Sequence, residues 1–265
     1  MKNTMNNLII LAAGKGSRLR PLTDHIPKCM VKLKNKTLLE RSLFQWKKSG
    51  NFIITIITGY KHEIFNDKEY ALIRNEEYHN TNMVWSLSRS FEKLKTLKDQ
   101  YIYISYGDII LSSKNIQKLM ASKADMNIVI DECWESLWSL RMENYIDDIE
   151  SLTCEDGKIV EIGQEVKDIK DVQGQYVGVI KIKRKILISL LDNFLKWVSS
   201  SANEDQKNAR SNLYLTDFIQ RYIDNGGKPE PVFIKGGWLE VDSVEDLKVY
   251  ESNWNKKSIY KSIVD

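Results

Sequence analysis

Short apolar runs alternate along this chain with stretches whose apolar positions recur every three or four residues. The first run, 8–12, is bounded by glycines and reads as a buried strand. Thr37-Leu38-Leu39-Glu40 has capping-box spacing, and an amphipathic helix follows to Gly50. Residues 52–58 are a β-rich apolar run ended by Gly59, and 72–75 predict a short strand. Apolar positions at Val84, Leu87, Phe91 and Leu94 predict one helix over 83–97. A strand over 101–106 ends at Gly107-Asp108, followed by a short helix over 116–122 and a strand over 126–130. Such alternation predicts an α/β fold with a mainly parallel sheet and helices on both faces. The second half is less regular. Residues 149–165 predict antiparallel ribbons, 176–182 a strand and 184–198 an amphipathic helix. Residues 199–211 are polar and rich in serine and asparagine, which predicts a mobile loop or lid. A helix over 214–224 is stopped by Asn225-Gly226-Gly227. Strands over 231–235 and 238–241 and a closing helix over 243–254 follow, with no repeats and no interdomain linker.

Length and composition narrow the picture. A chain of 265 residues with 42% hydrophobic content forms one large domain or two small ones, and the alternation favours one. A net charge of +3, with both signs spread along the chain, predicts neither a nucleic-acid nor a membrane partner. No apolar run reaches the roughly 18 residues of a bilayer span, and no signal-type segment precedes Leu8. Cys29, Cys133 and Cys154 lack metal-type spacing, so reduced thiols and a cytoplasmic location are expected. Lys28 beside Cys29 predicts a somewhat acidified thiol that is incidental to function. His25, His62 and His79 form no metal set.

The distinctive chemistry begins where the first strand ends, at Leu11-Ala12-Ala13-Gly14-Lys15-Gly16-Ser17-Arg18-Leu19, with Pro27-Lys28 downstream. Small residues let the backbone approach a ligand closely, and their N–H groups can cradle oxyanions. Arg18 and Lys28 add charge-assisted donors for phosphate. A Walker loop is absent, because Gly14 and Gly16 stand too close together. A dinucleotide fingerprint is absent too, since Leu19 holds the place of its third glycine. Spacing alone leaves a tight turn with surface cations as an alternative. Asp108 and Asp242 each follow a predicted strand, where ligands of open α/β sheets sit and where carboxylates can reach Mg²⁺. Asp108 as a turn residue and Asp242 as a helix N-cap, with Glu245 three residues on, are the open alternatives.

The co-occurrence of Ala12-Ala13-Gly14, Ser17-Arg18-Leu19, Pro21-Leu22-Thr23 and Pro27-Lys28 resembles the signature of nucleotidyltransferases that activate sugar phosphates and small phosphorylated alcohols. The resemblance implies a single Rossmann-like domain over 1–265. Its nucleotide-binding half would be 1–125 and its acceptor-binding half 126–265, with a smaller antiparallel ribbon near the acceptor site. It implies that Leu11, Ala12, Ala13, Gly14, Gly16 and Ser17, with Tyr106 and Gly107, wrap a nucleoside triphosphate. Arg18 and Lys28 would stabilise it during transfer, with Lys15 a weaker candidate for the outer phosphates. Asp108, in Ser105-Tyr106-Gly107-Asp108, and Asp242, in Trp238-Leu239-Glu240-Val241-Asp242, would bind the catalytic Mg²⁺. In such a reaction the acceptor's phosphate attacks the α-phosphorus and pyrophosphate leaves, so alignment and charge neutralisation suffice.

Asn80-Thr81-Asn82-Met83-Val84-Trp85-Ser86-Leu87 narrows the branch. Amides and hydroxyls ahead of a helix can read a base or ribose, or simply cap the helix. The Asn-Met-x-x-Ser-Leu pattern resembles the phosphocholine cytidylyltransferase branch, which includes enzymes of phosphonates and phosphoglutamine. That implies CTP as substrate, with Asn82 and Ser86 helping to hold it. Trp134, Trp138, Tyr214 and Trp238 are candidate walls of an acceptor pocket, and an aromatic box attracts a quaternary ammonium. They serve equally well as core or rim aromatics. Asp131, Glu132 and Glu240 are alternatives for a primary ammonium, and Arg141 is a candidate for the acceptor's phosphate. The expected acceptor is a small phosphorylated amine: phosphocholine, phosphoethanolamine, aminoethylphosphonate or phosphoglutamine. The CDP-linked product would serve surface glycan or lipid decoration. One rival is a sugar-1-phosphate nucleotidyltransferase using UTP or dTTP. Another is a non-catalytic nucleotide-binding domain, whose expected mark is loss of Arg18, Lys28, Asp108 or Asp242; all four are present. The C-terminal helices are candidates for a homodimer interface.

Overall fold

The structure, a computed structural model, describes residues 5–65, 68, 70–142, 144–166 and 168–254. Its strands are β1 (Asn6–Ala12), β2 (Lys32–Leu33), β3 (Lys36–Thr37), β4 (Phe52–Thr58), β5 (Ala71–Arg74), β6 (Tyr101–Tyr106), β7 (Ile109–Leu111), β8 (Met126–Asp131), β9 (Glu150–Glu155), β10 (Lys158–Glu165), β11 (Gln175–Lys183), β12 (Glu230–Ile234) and β13 (Trp238–Glu240). Its α-helices are α1 (Leu38–Ser49), α2 (Met83–Ser88), α3 (Phe91–Thr96), α4 (Ser113–Ala121), α5 (Glu135–Arg141), α6 (Arg184–Ser199), α7 (Glu204–Ser211), α8 (Leu215–Asp224) and α9 (Val244–Asn253).

Seven strands form the central sheet in the order β12-β8-β11-β6-β1-β4-β5. The β1–β4, β1–β6, β4–β5 and β8–β12 pairs are parallel, and only β11 runs antiparallel to its neighbours, β6 and β8. Strands from both sequence halves therefore lie in one sheet. Helices cover both faces, which is why β1 reads as an unbroken apolar run rather than an alternating one. Leu8, Ile10 and Ala12 face a core built with Leu43 and Trp46 of α1, Ile116 of α4 and Tyr250 of α9. Ile9 and Leu11 face the opposite core, with Val84 of α2, Leu191 of α6 and Phe218 of α8. At the start of α1 the Glu40 N–H donates to Thr37 Oγ1 over 3.0 Å, and the Thr37 N–H donates to Glu40 Oε2 over 2.6 Å, completing the capping box.

Three local expectations change. The single helix over 83–97 is two helices, because Arg89 and Ser90 N–H groups turn back to carbonyls three residues earlier and the Ser88 and Ser90 hydroxyls occupy the Trp85 and Leu87 carbonyls. The segment 199–211 is not a loop. Its second part is α7, started by Asn203, which accepts from the Gln206 N–H, with Glu204 and Asp205 in the first turn and Arg210 in the last. The strand predicted over 238–241 lies outside the central sheet. It pairs antiparallel with β7, which the apolar pattern left unassigned. The ribbon predicted over 149–165 is the β9–β10 hairpin. Among the described residues no helix is long and apolar enough to cross a membrane.

Candidate active site

The carboxyl end of β1 runs directly into the glycine loop, and a cleft of about 380 Å³ opens above it. Leu11, Ala12, Ala13, Gly14, Gly16, Ser17 and Arg18 line one side, and Tyr106, Gly107 and Asp108 beyond β6 line the next. Gly16 has φ 66°, and a Cβ there would lie 2.8 Å from Lys28 Cβ. Glycine thus lets the loop turn tightly against the lysine that follows it. Thr23 Oγ1 donates to the Gly16 carbonyl over 2.8 Å and closes the same turn. Lys15 does not line the cleft; its ammonium sits 5.9 Å from the Tyr78 ring centre.

The far end of the cleft is polar. Asn82 lines it and also caps α2 by accepting from the Met83 N–H over 2.9 Å, so both readings of that residue hold in the geometry. Ser86 is buried and accepts from Asn75 Nδ2, which also donates to Thr81 Oγ1, each over 3.0 Å. Tyr78, Thr81 and Met83 also line this end. Thr81 and Met83 belong to the 80–87 segment that the sequence already set apart, whereas Tyr78 had no signal beyond its nearness to it.

Asp108, Glu240 and Asp242 converge at the cleft's inner edge, each offering a carboxylate oxygen within 4.8 Å of the others. Asp108 stands in the turn between β6 and β7. The β7–β13 pairing brings the end of β13, and with it Glu240 and Asp242, back against that turn. Asp242 is not the N-cap of α9. Ser243 takes that role, its hydroxyl accepting from the Asp246 N–H over 3.1 Å, and Asp242 is left to face the cleft. Lys28 pairs with both Asp108 and Asp242. Burial works to lower its pKa, but Asp108, Asp242 and Glu240 outweigh it and hold the ammonium above the usual lysine range. Burial also pushes Glu240 up, helped by Asp242 and opposed by Arg141. Asp242 goes the other way: burial is overcome by Lys28, Arg18 and Arg141, which keep it ionised below the usual carboxylate range. Arg18, 64% exposed at its side chain, reaches Asp242 at 3.2 Å and Asp148 at 3.9 Å.

A second cavity, also about 380 Å³, shares Arg18, Met83, Tyr106, Glu240 and Asp242 with the first. The two meet at the carboxylates. Trp138, Trp238, Tyr214 and Glu240, all expected near an acceptor, line it. Gln175 and Tyr176, from the stretch 174–178 that resembles a subgroup of the branch, line it as well, and so do Asp148 and Glu150, which were not singled out from the sequence; the acidic stretch 147–150 was the available signal. Gln175 accepts from the Glu150 N–H over 3.1 Å and donates to the Glu150 carbonyl over 2.6 Å. This pins the backbone that carries the carboxylate. Burial, then Asp217 and Asp148, push Glu150 up, and no cation pairs with it among the described residues.

Four expectations are corrected by position. Asp131 is buried and lines neither cavity. Its Oδ1 accepts from the Gly236 and Cys133 N–H groups over 2.8 and 3.0 Å, and its Oδ2 accepts from Trp238 Nε1 over 2.8 Å. Trp134 is 3% exposed and packs edge-on against Trp138 and Tyr145, in the core rather than in a pocket wall. Arg141 lies behind the carboxylates, bonded to Glu240, Asp242 and Asp246, with no path to an acceptor phosphate. Cys29 is buried, and burial together with the Asp108 charge pushes its thiol up rather than down.

Over 252 residues the chain is 35% identical to the CTP:phosphoglutamine cytidylyltransferase of Campylobacter jejuni, covering 92% of this chain and 98% of that protein. Its fold is shared with CTP:phosphocholine cytidylyltransferase from Streptococcus pneumoniae, at TM-score 0.68 and 23% identity over 95% of this chain and 100% of that one. It is shared equally with inositol-1-phosphate CTP transferase from T. maritima, at TM-score 0.69 and 17% identity over 100% and 97%. Residues 8–160 match the MobA-like NTP transferase domain, and with the glycine loop, the paired cations and the converging carboxylates already in view, the chain belongs to that family of nucleotidyltransferases.

Proposed function

We infer that this protein transfers CMP from CTP to the phosphate of a small phosphorylated amine and releases pyrophosphate. The observation that carries this reading is the junction of the two cavities at Arg18, Glu240 and Asp242, with Lys28 and Asp108 beside it on the first cavity's side. One cavity suits a triphosphate, the other a small acceptor, and the reacting phosphates would meet between them. An acceptor phosphate oxygen would bond to the α-phosphorus as the bond from that phosphorus to the leaving pyrophosphate oxygen breaks. Held side by side, the two substrates react as if in one molecule, and no covalent intermediate on the protein is needed. Lys28, held between Asp108 and Asp242, faces that junction from within the cleft, and Arg18 reaches it from the solvent side. Both would stabilise charge that builds up on the phosphates.

Three carboxylate oxygens within 4.8 Å of one another form a hard oxygen-donor set that fits Mg²⁺. Asp108, Glu240 and Asp242 would hold that ion, which supplies charge neutralisation on the phosphate oxygens when bound. The cytosine reading rests on the polar end of the first cleft, at Thr81, Asn82 and Ser86, and on the cytidylyltransferase relative. The amine reading rests on Glu150, whose backbone Gln175 pins and whose carboxylate pairs with no cation among the described residues, with Asp148 beside it and the aromatic rings of Trp138, Tyr176 and Tyr214 around the same space. The relative acts on phosphoglutamine, and that compound heads the candidate acceptors. The CDP-linked product would then be the activated form used by a transferase in surface glycan decoration.

Pyrophosphate release tests this directly, crossing ATP, GTP, CTP, UTP and dTTP with phosphoglutamine, phosphocholine, phosphoethanolamine, aminoethylphosphonate and sugar 1-phosphates in the presence of Mg²⁺. Release with CTP and one phosphorylated amine is expected. Release with UTP or dTTP and a sugar phosphate, and none with CTP, would overturn the reading. CTP binding without turnover on any acceptor would favour a nucleotide-binding domain.

A further inference from the structure

Arg141 is the last residue of α5, and its side chain is 1% exposed. A buried guanidinium costs several kcal/mol in desolvation unless its donors are matched. Here they are matched by three carboxylates. Nε and Nη2 donate to the two oxygens of Asp246, each over 3.1 Å, a forked pairing. Nη1 donates to Glu240 Oε2 and Nη2 to Asp242 Oδ2, again over 3.1 Å. Asp246 is itself held by the backbone, accepting from the Asp242 and Ser243 N–H groups over 2.7 and 3.0 Å where α9 begins. Helix α5, the end of β13 and the first turn of α9 are thus tied through one side chain.

The division of oxygens matters. Of the two carboxylates that also face the cleft, Arg141 takes one oxygen each, Oδ2 of Asp242 and Oε2 of Glu240. The other oxygen of Asp242, Oδ1, is the one that meets Lys28 and Arg18 in the cleft, and Oε1 of Glu240 is left free of Arg141. A carboxylate held at one oxygen cannot swing, so its second oxygen keeps one direction. Asp246 balances the charge of Arg141, and the guanidinium sits where it opposes the mutual repulsion of Glu240 and Asp242. Without a cation there, two buried carboxylates so close together would repel strongly in a weakly screening interior.

We propose that Arg141 is a positioning residue. From behind the site it grips one oxygen each of Glu240 and Asp242, and so presents their other oxygens, together with Asp108, to the divalent cation. This rests on the metal-assisted transfer read above and assigns Arg141 no contact with either substrate. Arginine is required in kind, because the planar fork reaches three carboxylates at once and a lysine ammonium does not.

The test is direct binding of Mn²⁺, followed by the electron paramagnetic resonance signal of the free ion, on the full chain without nucleotide or acceptor. Arg141→Met and Arg141→Lys are each compared with the parent, and Asp108→Asn is the control for the site itself. Loss of a group that orients metal ligands weakens metal affinity by about 10- to 100-fold. That range is expected for Arg141→Met, with a smaller loss for Arg141→Lys. In turnover, the Mg²⁺ concentration at half-maximal rate should rise, while KM for the acceptor at saturating Mg²⁺ stays within about twofold. Folded Arg141→Met with parental Mn²⁺ affinity and a raised acceptor KM would overturn the proposal and return Arg141 to the acceptor. If Asp108→Asn also binds Mn²⁺ like the parent, the three-carboxylate site itself fails, a result distinct from failure of Arg141 alone. Should Arg141→Met not fold, Asp246→Asn decides. It keeps the guanidinium but loosens its fork, and it must weaken Mn²⁺ binding in the same direction, or the proposal falls.

Discussion

Replacing Asp131 should lower stability and leave acceptor binding untouched, and the structure sets the size of the effect. The side chain is 1% exposed and accepts three hydrogen bonds, from the Gly236 N–H, the Cys133 N–H and the Trp238 indole. Asp131→Ala leaves the buried Trp238 indole N–H unmatched, at roughly 1–3 kcal/mol, and two partly buried backbone N–H groups, at the lower end of that range. It also removes the desolvation penalty of a buried carboxylate, and that relief brings the expected net loss to about 3 kcal/mol. Asp131→Asn should be milder. Its amide oxygen can still accept from the two backbone groups, while its NH₂ faces the Trp238 indole N–H, donor against donor. A loss of about 1–2 kcal/mol follows, one missing bond and one unmatched donor. For a chain of this size 1 kcal/mol moves Tm by roughly 2–4 °C, so the alanine variant should melt roughly 10 °C lower. Urea unfolding followed by tryptophan fluorescence gives the free energies, and acceptor KM is measured in parallel well below both melting points. The order parent, Asn, Ala in stability with KM unchanged is expected. An alanine variant within about 0.5 kcal/mol of the parent, combined with a tenfold rise in acceptor KM, would refute the reasoning and make Asp131 a ligand-facing carboxylate.

Four other outcomes are expected. Lys28→Met should lower the rate of pyrophosphate release by roughly 10²–10³-fold, as loss of a fixed donor at the reacting phosphates does, with the circular dichroism spectrum retained. Glu150→Gln should raise acceptor KM about tenfold, worth ~1.4 kcal/mol, and leave KM for CTP unchanged; a change in the CTP value instead would move Glu150 out of the acceptor cavity. Gly178→Ala should destabilise by at least about 1–2 kcal/mol because φ there is 76°, and its Cβ would lie 2.6 Å from the Tyr106 ring, so activity should fall with stability. Cys29, buried and with its thiol pushed up, should resist iodoacetamide at pH 8 while exposed Cys133 reacts, and mass spectrometry before and after urea reads the difference.

The elements closest to the glycine loop were legible because their signals are local. The apolar run of β1, the capping box of α1 and the glycines at 14 and 16 each declare themselves within a few residues. Helix breaks at Ser88 and Ser90 were missed because a serine hydroxyl bonding back to a carbonyl competes with the helix without disturbing its apolar period. Helix α7 was missed for the opposite reason. It has almost no apolar face to detect, and caps and end charges carry it. Trp134 and Trp138 stand four residues apart and their rings do meet edge-on, but spacing says only that two rings share a side. It does not say whether that side meets a pocket or the core, and Trp134 met the core.

The sequence by itself determined the class of fold, the glycine loop at the end of the first strand, and Arg18, Lys28, Asp108 and Asp242 as the charged candidates, because residue type and short-range spacing encode all of these. The tertiary structure alone decided which carboxylates converge and what each one faces. Lys28 and Asp242 are separated by 214 positions and Arg141 and Asp246 by 105. Only the β7–β13 pairing and the docking of α5 against α9 bring those groups together. Glu240 thereby joins the cluster, Arg141 becomes its support from behind, and Asp131 turns inward to hold Trp238. A charged side chain far along the chain has no local signal for its partner. The backbone decides the partner, and the buried interior then enforces it, because there an unmatched charge is too costly to leave.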